Sequence, residues 1–110
     1  MGAGYLMDIG YRDTLDFLVV GFCRDYSKRK EAIATQSCAK RTRMEYEYIN
    51  QRIDAAAMEI VGAEYEIYIN EIGRYVGYAQ SAVSDVSEST YKQLKKEVKV
   101  NIAKKLHLLD

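Results

Sequence analysis

No proline occurs at any of the 110 positions of this chain, and this absence constrains the fold more than any other single feature. Average usage of proline is about 5%. Proline kinks or ends a helix because it lacks the backbone N–H group and clashes with the preceding turn. No segment shows sustained alternation of apolar and polar residues, the pattern of a half-buried strand. We therefore predict an all-α fold, with residues 1–110 forming a single helical domain in which residues 1–10 are flexible.

The spacing of apolar residues predicts three main helices, at about residues 13–34, 42–80 and 88–108. The second predicted helix is unusually long and contains glycines, which weaken a helix by about 1 kcal/mol each relative to alanine. It either continues with a change of partner or breaks near Gly62 or Gly73. We expect the three segments to form a helical bundle.

Side chains that accept hydrogen bonds stand near the predicted start of each helix. Asp13 or Thr14 is expected to cap the first helix, and Ser87 or Ser89 the third. A Thr-x-x-Glu sequence beginning at Thr42 fits a capping box for the second.

Apolar residues of the second helix recur at alternating spacings of four and three, which is the pattern of a coiled-coil seam. The seam could face the first helix or a second copy of the chain. Because a long helix needs more apolar cover than one short partner provides, we expect a homodimer that forms through this helix. The residues predicted to lie at the dimer interface are Ile49, Ile53, Ala56, Ile60 and Ile67.

The net charge is zero, but it is unevenly distributed along the chain. Residues 1–43 carry a balance of +3, residues 44–90 of −7 and residues 91–110 of +4. The acidic middle can be neutralised by the basic ends of the same chain or by a second copy. Basic residues also cluster in the first half of the chain, where they could contact a phosphate backbone or pair with nearby acids: Arg24, Lys28, Arg29, Lys30, Lys40, Arg41 and Arg43.

The most informative motif is a short hydroxyl-rich segment that leads into a basic amphipathic helix at about residues 88–108. This layout is typical of the recognition helix of a helix-turn-helix protein. Hydroxyl groups and backbone N–H groups at a helix start can contact phosphates, while side chains of the first turns reach base edges. The residues predicted to bind double-stranded DNA are Ser87, Ser89, Thr90, Lys92, Gln93, Lys95, Lys96 and Lys99.

Residues 86–106 resemble the C-terminal end of small phage-encoded regulators of late transcription, of the ArpU/RinA type, which are themselves similar to the promoter-binding region of sigma factors. The matching motifs are Val86-Ser87-Glu88-Ser89-Thr90-Tyr91, Lys95-Lys96-Glu97 and Ile102-Ala103. The resemblance implies a sigma-factor-like helix-turn-helix and a DNA-binding role for Ser89, Thr90, Lys92 and Lys95. In such a motif the scaffold helix would end near residues 71–75, about a dozen residues before the hydroxyl-rich segment.

Residues capable of catalysis or metal binding do not form a recognisable pattern. His107 is the only histidine, and it does not follow a glutamate at the spacing used in helical metal sites. No nucleophile, base and orienting group stand in a catalytic arrangement, and no glycine-rich phosphate loop is present. We therefore predict no enzyme activity, metal, cofactor or small-molecule substrate.

The longest apolar run, Phe17–Cys23, has seven residues, which is too few to span a bilayer. We expect a cytoplasmic protein without a membrane partner, in which Cys23 and Cys38 stay reduced. Two functions remain open at this stage. The first is a DNA-binding transcriptional regulator of the phage or mobile-element type. The second is a non-catalytic helical module that acts through protein contacts, which the neutral charge and the tyrosine-rich acidic helix favour.

Overall fold

The computed structural model describes residues 11–109, which form an all-α chain as predicted; the segment 1–10, expected to be flexible, lies outside the described residues. The helices are α1 (Asp13–Arg24), α2 (Tyr26–Thr35), α3 (Lys40–Val61), α4 (Tyr65–Gly73) and α5 (Glu88–Lys105), with short 3₁₀ turns at Gly62–Glu64 and Tyr78–Gln80. All three predicted segments are helical, but each of the first two is divided in two. Over the described residues, no helix has both the length and the apolar character required to cross a membrane.

The first predicted helix is kinked at Asp25, which separates α1 from α2 and has φ −91° and ψ 2°. A buried hydrogen-bond network fixes this kink. The Arg29 guanidinium, 7% exposed, donates to the carbonyl oxygen of Phe22 and, through Nε, to Asn50 Oδ1 at 2.7 Å. Asn50 Nδ2 in turn donates to the carbonyl oxygen of Tyr26 at 3.2 Å. The kink therefore depends on a contact with α3, which lies far along the chain.

The expected break near Gly62 is confirmed. Gly62 has φ +63° and ψ −130°, a conformation that side chains with a Cβ atom rarely adopt. The chain leaves α3 at this point, passes through a 3₁₀ turn and enters α4. Because α4 ends at Gly73, the helical region stops several residues before the predicted limit of residue 80.

Gly73 lies directly against the backbone at the end of α1. A Cβ atom at this position would be 2.6 Å from the backbone nitrogen of Arg24 and 2.7 Å from the carbonyl carbon of Cys23. Such distances are far inside van der Waals contact, and backbone atoms cannot move aside as a flexible side chain can. Glycine therefore permits the end of α4 to touch the end of α1.

One hydrophobic core joins all five helices. Its buried residues are Val19, Val20, Cys23, Tyr26, Ile53, Ala56, Ala57, Ile69, Ile72, Val98, Ile102 and Ala103. A smaller cluster of Tyr68, Val83 and Tyr91 lies between α4, the following connection and α5. The second cluster fixes the start of α5 relative to α4.

The seam that was predicted to form a dimer interface lies inside the single chain. Ile53 and Ala56 are completely buried in the core, and Ile49 and Ile60 pack against the same core. Ile67 packs against the smaller cluster. The assignment of Ile53 and Ala56 to a dimer interface is therefore wrong, because side chains enclosed by their own chain offer no surface to a second copy. Ile49, Ile60 and Ile67 are only partly buried, and their place in an interface stays a prediction. Homodimer formation itself stays a prediction.

The predicted cap of α5 is confirmed, whereas the other two are wrong. Ser87 is the N-cap of α5 and accepts a hydrogen bond from a backbone N–H group. The N-caps of α1 and α3 are Arg12 and Ala39, and neither makes a side-chain capping bond. Thr42 cannot cap α3, since α3 begins two residues earlier and Thr42 lies within its first turn.

The acidic middle of the chain is contacted by basic residues from both ends. Lys30 of α2 forms an ion pair with Glu66, and Lys105 of α5 forms one of 2.6 Å with Glu59. The basic cluster in the first half of the chain is therefore partly used within the fold, as the burial of Arg29 also shows. These contacts favour neutralisation within one chain over neutralisation by a second copy.

Candidate nucleic-acid interface

The start of α5 presents a cluster of exposed hydroxyl groups. Ser87 Oγ accepts a hydrogen bond from the backbone N–H of Thr90 at 3.2 Å and donates to Thr90 Oγ1 at 3.0 Å. Ser89 Oγ lies 3.2 Å from Ser87 Oγ, and all three side chains are exposed. Because the N-terminus of a helix carries a partial positive charge, these hydroxyls surround a position that favours anions.

Tyr91, the next residue, anchors this helix start in the interior. Its side chain is 1% exposed, and its ring lies between those of Tyr68 and Tyr78, at centroid distances of 5.8 Å and 5.7 Å. Its hydroxyl donates to Glu71 Oε1 at 2.7 Å and also approaches the carbonyl oxygen of Val76 at 3.2 Å. Burial, together with the Glu71 carboxylate, raises the pKa of Tyr91 to about 12, so the hydroxyl keeps its proton at neutral pH.

Glu71 belongs to α4 and its side chain is buried. It is the centre of the polar network beneath the start of α5. Besides the Tyr91 hydroxyl, it accepts hydrogen bonds from Ser81 Oγ at 2.6 Å and from the backbone N–H of Ala82 at 2.7 Å. Burial alone would raise the pKa of Glu71, but these three hydrogen bonds outweigh it and hold the pKa below its ordinary value. The carboxylate is therefore charged and ties α4, the connection and α5 together.

The connection between α4 and α5 is long but held in place. It spans residues 74–87, whereas the turn of a compact helix-turn-helix has about three or four residues. Tyr78 donates a hydrogen bond from its hydroxyl to the carbonyl oxygen of Val86 at 2.7 Å. Tyr75 and Asp85 have positive φ angles of 56° and 65°, which give the connection two sharp changes of direction. The two helices thus form a helix–loop–helix unit with an ordered loop.

Four lysines form one stripe on α5: Lys92, Lys95, Lys96 and Lys99. The last three follow Lys92 by three, four and seven residues, and residues at these spacings share one face of a helix. Ion pairs to described residues engage Lys92 and Lys99. Lys92 Nζ lies 2.9 Å from Glu88 Oε2, and Lys99 Nζ lies 2.7 Å from Asp16 Oδ1 of α1.

Lys95 differs from the other lysines of the stripe because it is half-buried and bound to the connection. Its ammonium group donates to the carbonyl oxygen of Val76 at 2.7 Å and lies 5.0 Å from the centre of the Tyr91 ring. Burial and the nearby charge of Lys99 lower the pKa of Lys95. This ammonium is thus held by the connection, and its contact with DNA stays a prediction.

The two remaining predicted residues lie at the surface. Gln93 is exposed and donates from Nε2 to Glu97 Oε2 at 3.0 Å, one turn further along α5. Lys96 is also exposed. The structure thus spreads the eight predicted residues from the N-cap to the fourth turn of α5, and Lys95 and Lys99 contact the body of the protein through Val76 and Asp16.

An open groove of about 380 Å³ lies between the lysine stripe and the start of α1. On the α1 side it is lined by Tyr11, Arg12, Asp13 and Asp16. Together with the four lysines, this gives five basic and two acidic side chains along the groove. Arg12 was missed from the sequence, because nothing in the local pattern indicated that the start of α1 would lie beside α5.

Comparison of the chain with protein-family models, curated proteins and solved structures finds no significant match. The similarity of residues 86–106 to phage regulators therefore stays a prediction that depends on those residues alone. No group of three or more potential metal ligands occurs in the described part of the chain, residues 11–109.

Proposed function

We propose that this chain is a DNA-binding transcriptional regulator of the phage or mobile-element type, which contacts duplex DNA with the first turns of α5. One observation carries the proposal: an exposed hydroxyl cluster at the start of a capped helix adjoins a lysine stripe. Tyr91 and Glu71 hold this helix start rigidly, and rigid presentation favours binding because little conformational freedom is lost.

The chemistry of the surface suits both parts of a DNA duplex. Hydroxyl groups, backbone N–H groups and the lysines Lys92 and Lys96 would contact phosphate oxygens. Ser89, Thr90 and Gln93 project from the first two turns, where a helix in the major groove meets base edges.

The ion pairs of the stripe leave this role open. Exposed pairs such as Lys92 with Glu88 contribute about 0–1 kcal/mol, so a phosphate group can replace the carboxylate at little cost. The same exchange at Lys99 would release Asp16 of α1. Binding is thus expected to weaken steeply with added salt, because each phosphate contact displaces about 0.9 of a counterion.

Fluorescence anisotropy with a random-sequence duplex at low salt tests the proposal. We expect the wild-type chain to bind at micromolar concentrations, with Lys92→Glu and Lys96→Glu each weakening binding and lowering its salt dependence by about 0.9 of a counterion. Lys28→Glu, the same charge change at an exposed position of α2, is the matched control and should leave binding nearly unchanged.

Two results would reject the proposal. One is the absence of binding at tens of micromolar protein in low salt. The other is a loss of binding in Lys28→Glu but not in Lys92→Glu and Lys96→Glu, which would move the contact to the basic cluster of the first half of the chain.

A protein-interaction module is the second candidate function, and exposed apolar side chains favour it. On α1, Phe17 is 68% exposed and Leu18 is 48% exposed, and they line an open groove with Gly21 and Phe22. Side chains of this size usually contact a partner when they are grouped at a surface. This function would be established instead if the wild-type chain bound no DNA but associated with a protein, and if Phe17→Glu weakened that association.

A further inference from the structure

α3 carries a second apolar seam on the side that faces away from the core. Its residues are Met44, Tyr48, Gln51, Ala55 and Met58. The spacings are four, three, four and three residues, which is a heptad pattern over about two repeats. This seam is distinct from the inner one, whose residues fill the core.

The outer seam is exposed along its entire length. Met44 is 59%, Tyr48 is 46% and Met58 is 51% exposed, and Gln51 and Ala55 are exposed as well. An open groove of about 520 Å³ adjoins Met44 and Tyr48. A helix that is already folded on its inner face can pair through such a seam without the entropic cost of forming the helix.

The flanking charges indicate what the seam pairs with. Each heptad has two seam positions, and the first of them is Tyr48 in one heptad and Ala55 in the next. In a parallel pair of α3 helices, the residue just before a first seam position faces the residue five places later in the second copy. This geometry sets Lys40 against Glu45 of the second copy, and Glu47 against Arg52 of the second copy. Both contacts are attractive, and the two-fold axis repeats each of them.

Two unfavourable charge contacts in this arrangement are weakened within each chain. Arg41, which takes the first seam position after Lys40, would face Arg41 of the second copy, but it forms an ion pair of 3.9 Å with Glu45 of its own chain. Asp54 would face Glu59 of the second copy, but Asp54 accepts a hydrogen bond of 2.5 Å from the Tyr26 hydroxyl. Glu59 is paired with Lys105 at 2.6 Å, and this ammonium offsets the charge of its carboxylate. An antiparallel pair would instead bring Glu47 against Asp54, with fewer attractive contacts to offset the repulsion.

The polar residue at the centre of the seam points to the same arrangement. In a parallel two-fold pair, Gln51 faces Gln51 of the second copy, and an amide can donate to and accept from an identical amide. A single polar residue in a coiled-coil seam fixes register and the number of helices. The rest of the seam supplies the apolar contact.

We propose that the outer face of α3 is a self-association surface, on which a second copy of this chain docks in parallel through Met44, Tyr48, Gln51, Ala55 and Met58. The contact is short, about 21 Å of helix at 1.5 Å per residue, and so belongs with the small and reversible interfaces. It does not depend on the proposed DNA contact, which lies on a different helix.

Sedimentation velocity of the full chain over a range of concentrations tests the surface. We expect a reversible monomer–dimer equilibrium, with Tyr48→Glu and Met58→Glu each raising the dissociation constant roughly tenfold or more. Both positions are exposed, and circular dichroism should show unchanged helix content. Phe17→Glu is the comparison, because it places the same charge on an exposed apolar residue of α1 outside the outer seam and so tests the other apolar groove.

Charge exchange tests the pairing of the flanks. Glu47→Arg and Arg52→Glu should each weaken the dimer, and the double variant should restore it, because the exchanged charges face one another again. Short-range thiol cross-linking tests the direction. In a Cys38→Ser background, we expect Met44→Cys chains to cross-link with one another. They should not cross-link with Met58→Cys chains, since a parallel pair separates these positions by about 21 Å.

Three outcomes would overturn the proposal. A strict monomer at about 1 mM, where a dimer with a dissociation constant of about 1 mM or below would be clearly populated, excludes the surface. A dimer that is lost in Phe17→Glu and kept in Tyr48→Glu and Met58→Glu places the contact on α1. Cross-linking of Met44→Cys with Met58→Cys but not with itself shows an antiparallel pair.

Discussion

The hydroxyl of Tyr91 donates a hydrogen bond of 2.7 Å to the carboxylate of Glu71, which joins α5 to α4 inside the protein. The same carboxylate holds Ser81 and Ala82 of the connection. The exposed hydroxyl cluster at the start of α5 therefore stands on a buried, fully hydrogen-bonded base. The position of the candidate interface depends on this network rather than on the length of the connection.

Glu71→Gln is expected to destabilise the fold by about 1–3 kcal/mol, because an amide cannot accept all of the hydrogen bonds that the carboxylate accepts. The folded-state pKa of Glu71 is lowered, so its contribution to stability is present above the ordinary glutamate pKa of 4.5. This contribution is lost as the pH falls through the lower folded value. Chemical denaturation between pH 7 and pH 3 measures it. Glu31→Gln, at an exposed position of α2, is the matched control and should leave the stability at pH 7 nearly unchanged.

Gly73→Ala is expected to destabilise the chain by at least ~2 kcal/mol, since its Cβ would overlap the backbone of Arg24 and Cys23. Gly21→Ala is the matched control. Gly21 lies inside α1, and a Cβ atom added there would meet no neighbouring atom within 4 Å, so alanine should stabilise the helix by about 0.5–1 kcal/mol. Equal effects of the two substitutions in denaturant titrations would contradict the close approach of α4 to α1.

Ser87→Ala is expected to cost about 1 kcal/mol, because the substitution removes the capping acceptor for the backbone N–H of Thr90. Ser89→Ala should cost far less, since the capping bond of α5 is made by Ser87. Hydrogen exchange of the Thr90 amide is the most direct measurement. Protection that survives in Ser87→Ala would show that another group caps α5.

Asn50→Ala is expected to destabilise the fold by about 2–3 kcal/mol, because it leaves the buried Nε of Arg29 and the carbonyl oxygen of Tyr26 without their partner. Asn101→Ala is the comparison. Asn101 also bonds across helices, to the carbonyl oxygen of Ala56 at 2.9 Å, but it is only partly buried and water can replace it. Thermal unfolding should therefore show a clearly larger loss for Asn50→Ala.

The two cysteines should react at very different rates with a thiol reagent. Cys23 is 2% exposed, and burial raises the pKa of its thiol to about 12, whereas Cys38 is only half-buried. Since the thiolate is the reactive form, we expect one fast equivalent from Cys38 and a second only on unfolding. Two fast equivalents in the native protein would contradict the burial of Cys23.

Local signals in the sequence were sufficient for part of the fold. The three helical segments, the break at Gly62 and the cap at Ser87 each depend on residues close together in the chain. The kink at Asp25 could not be predicted in this way, because Arg29 fixes it through Asn50 of another helix. Nor could the sequence show that Gly73 is needed for contact with α1 rather than merely tolerated in α4.

The candidate site was predicted in its composition but not in its surroundings. The hydroxyl and lysine residues of α5 follow from helical spacing, so their common face could be inferred. Whether a given lysine points to solvent or to the protein depends on the connection and on α1. The connection holds Lys95 through the carbonyl oxygen of Val76, and α1 holds Lys99 through Asp16. Ile53 and Ala56 of the inner seam were assigned to a second copy for the same reason, since periodicity shows which residues share a face but not what covers that face.

On the proposed self-association surface, the two faces of α3 would separate folding from assembly. Substitutions on its inner face, at Ile53 or Ala56, should alter how well the chain folds. Substitutions on its outer face, at Tyr48 or Met58, should leave the folded monomer intact and change only how many copies associate at a given concentration. A few surface replacements on one helix could therefore yield a series of equally stable proteins with graded association strengths.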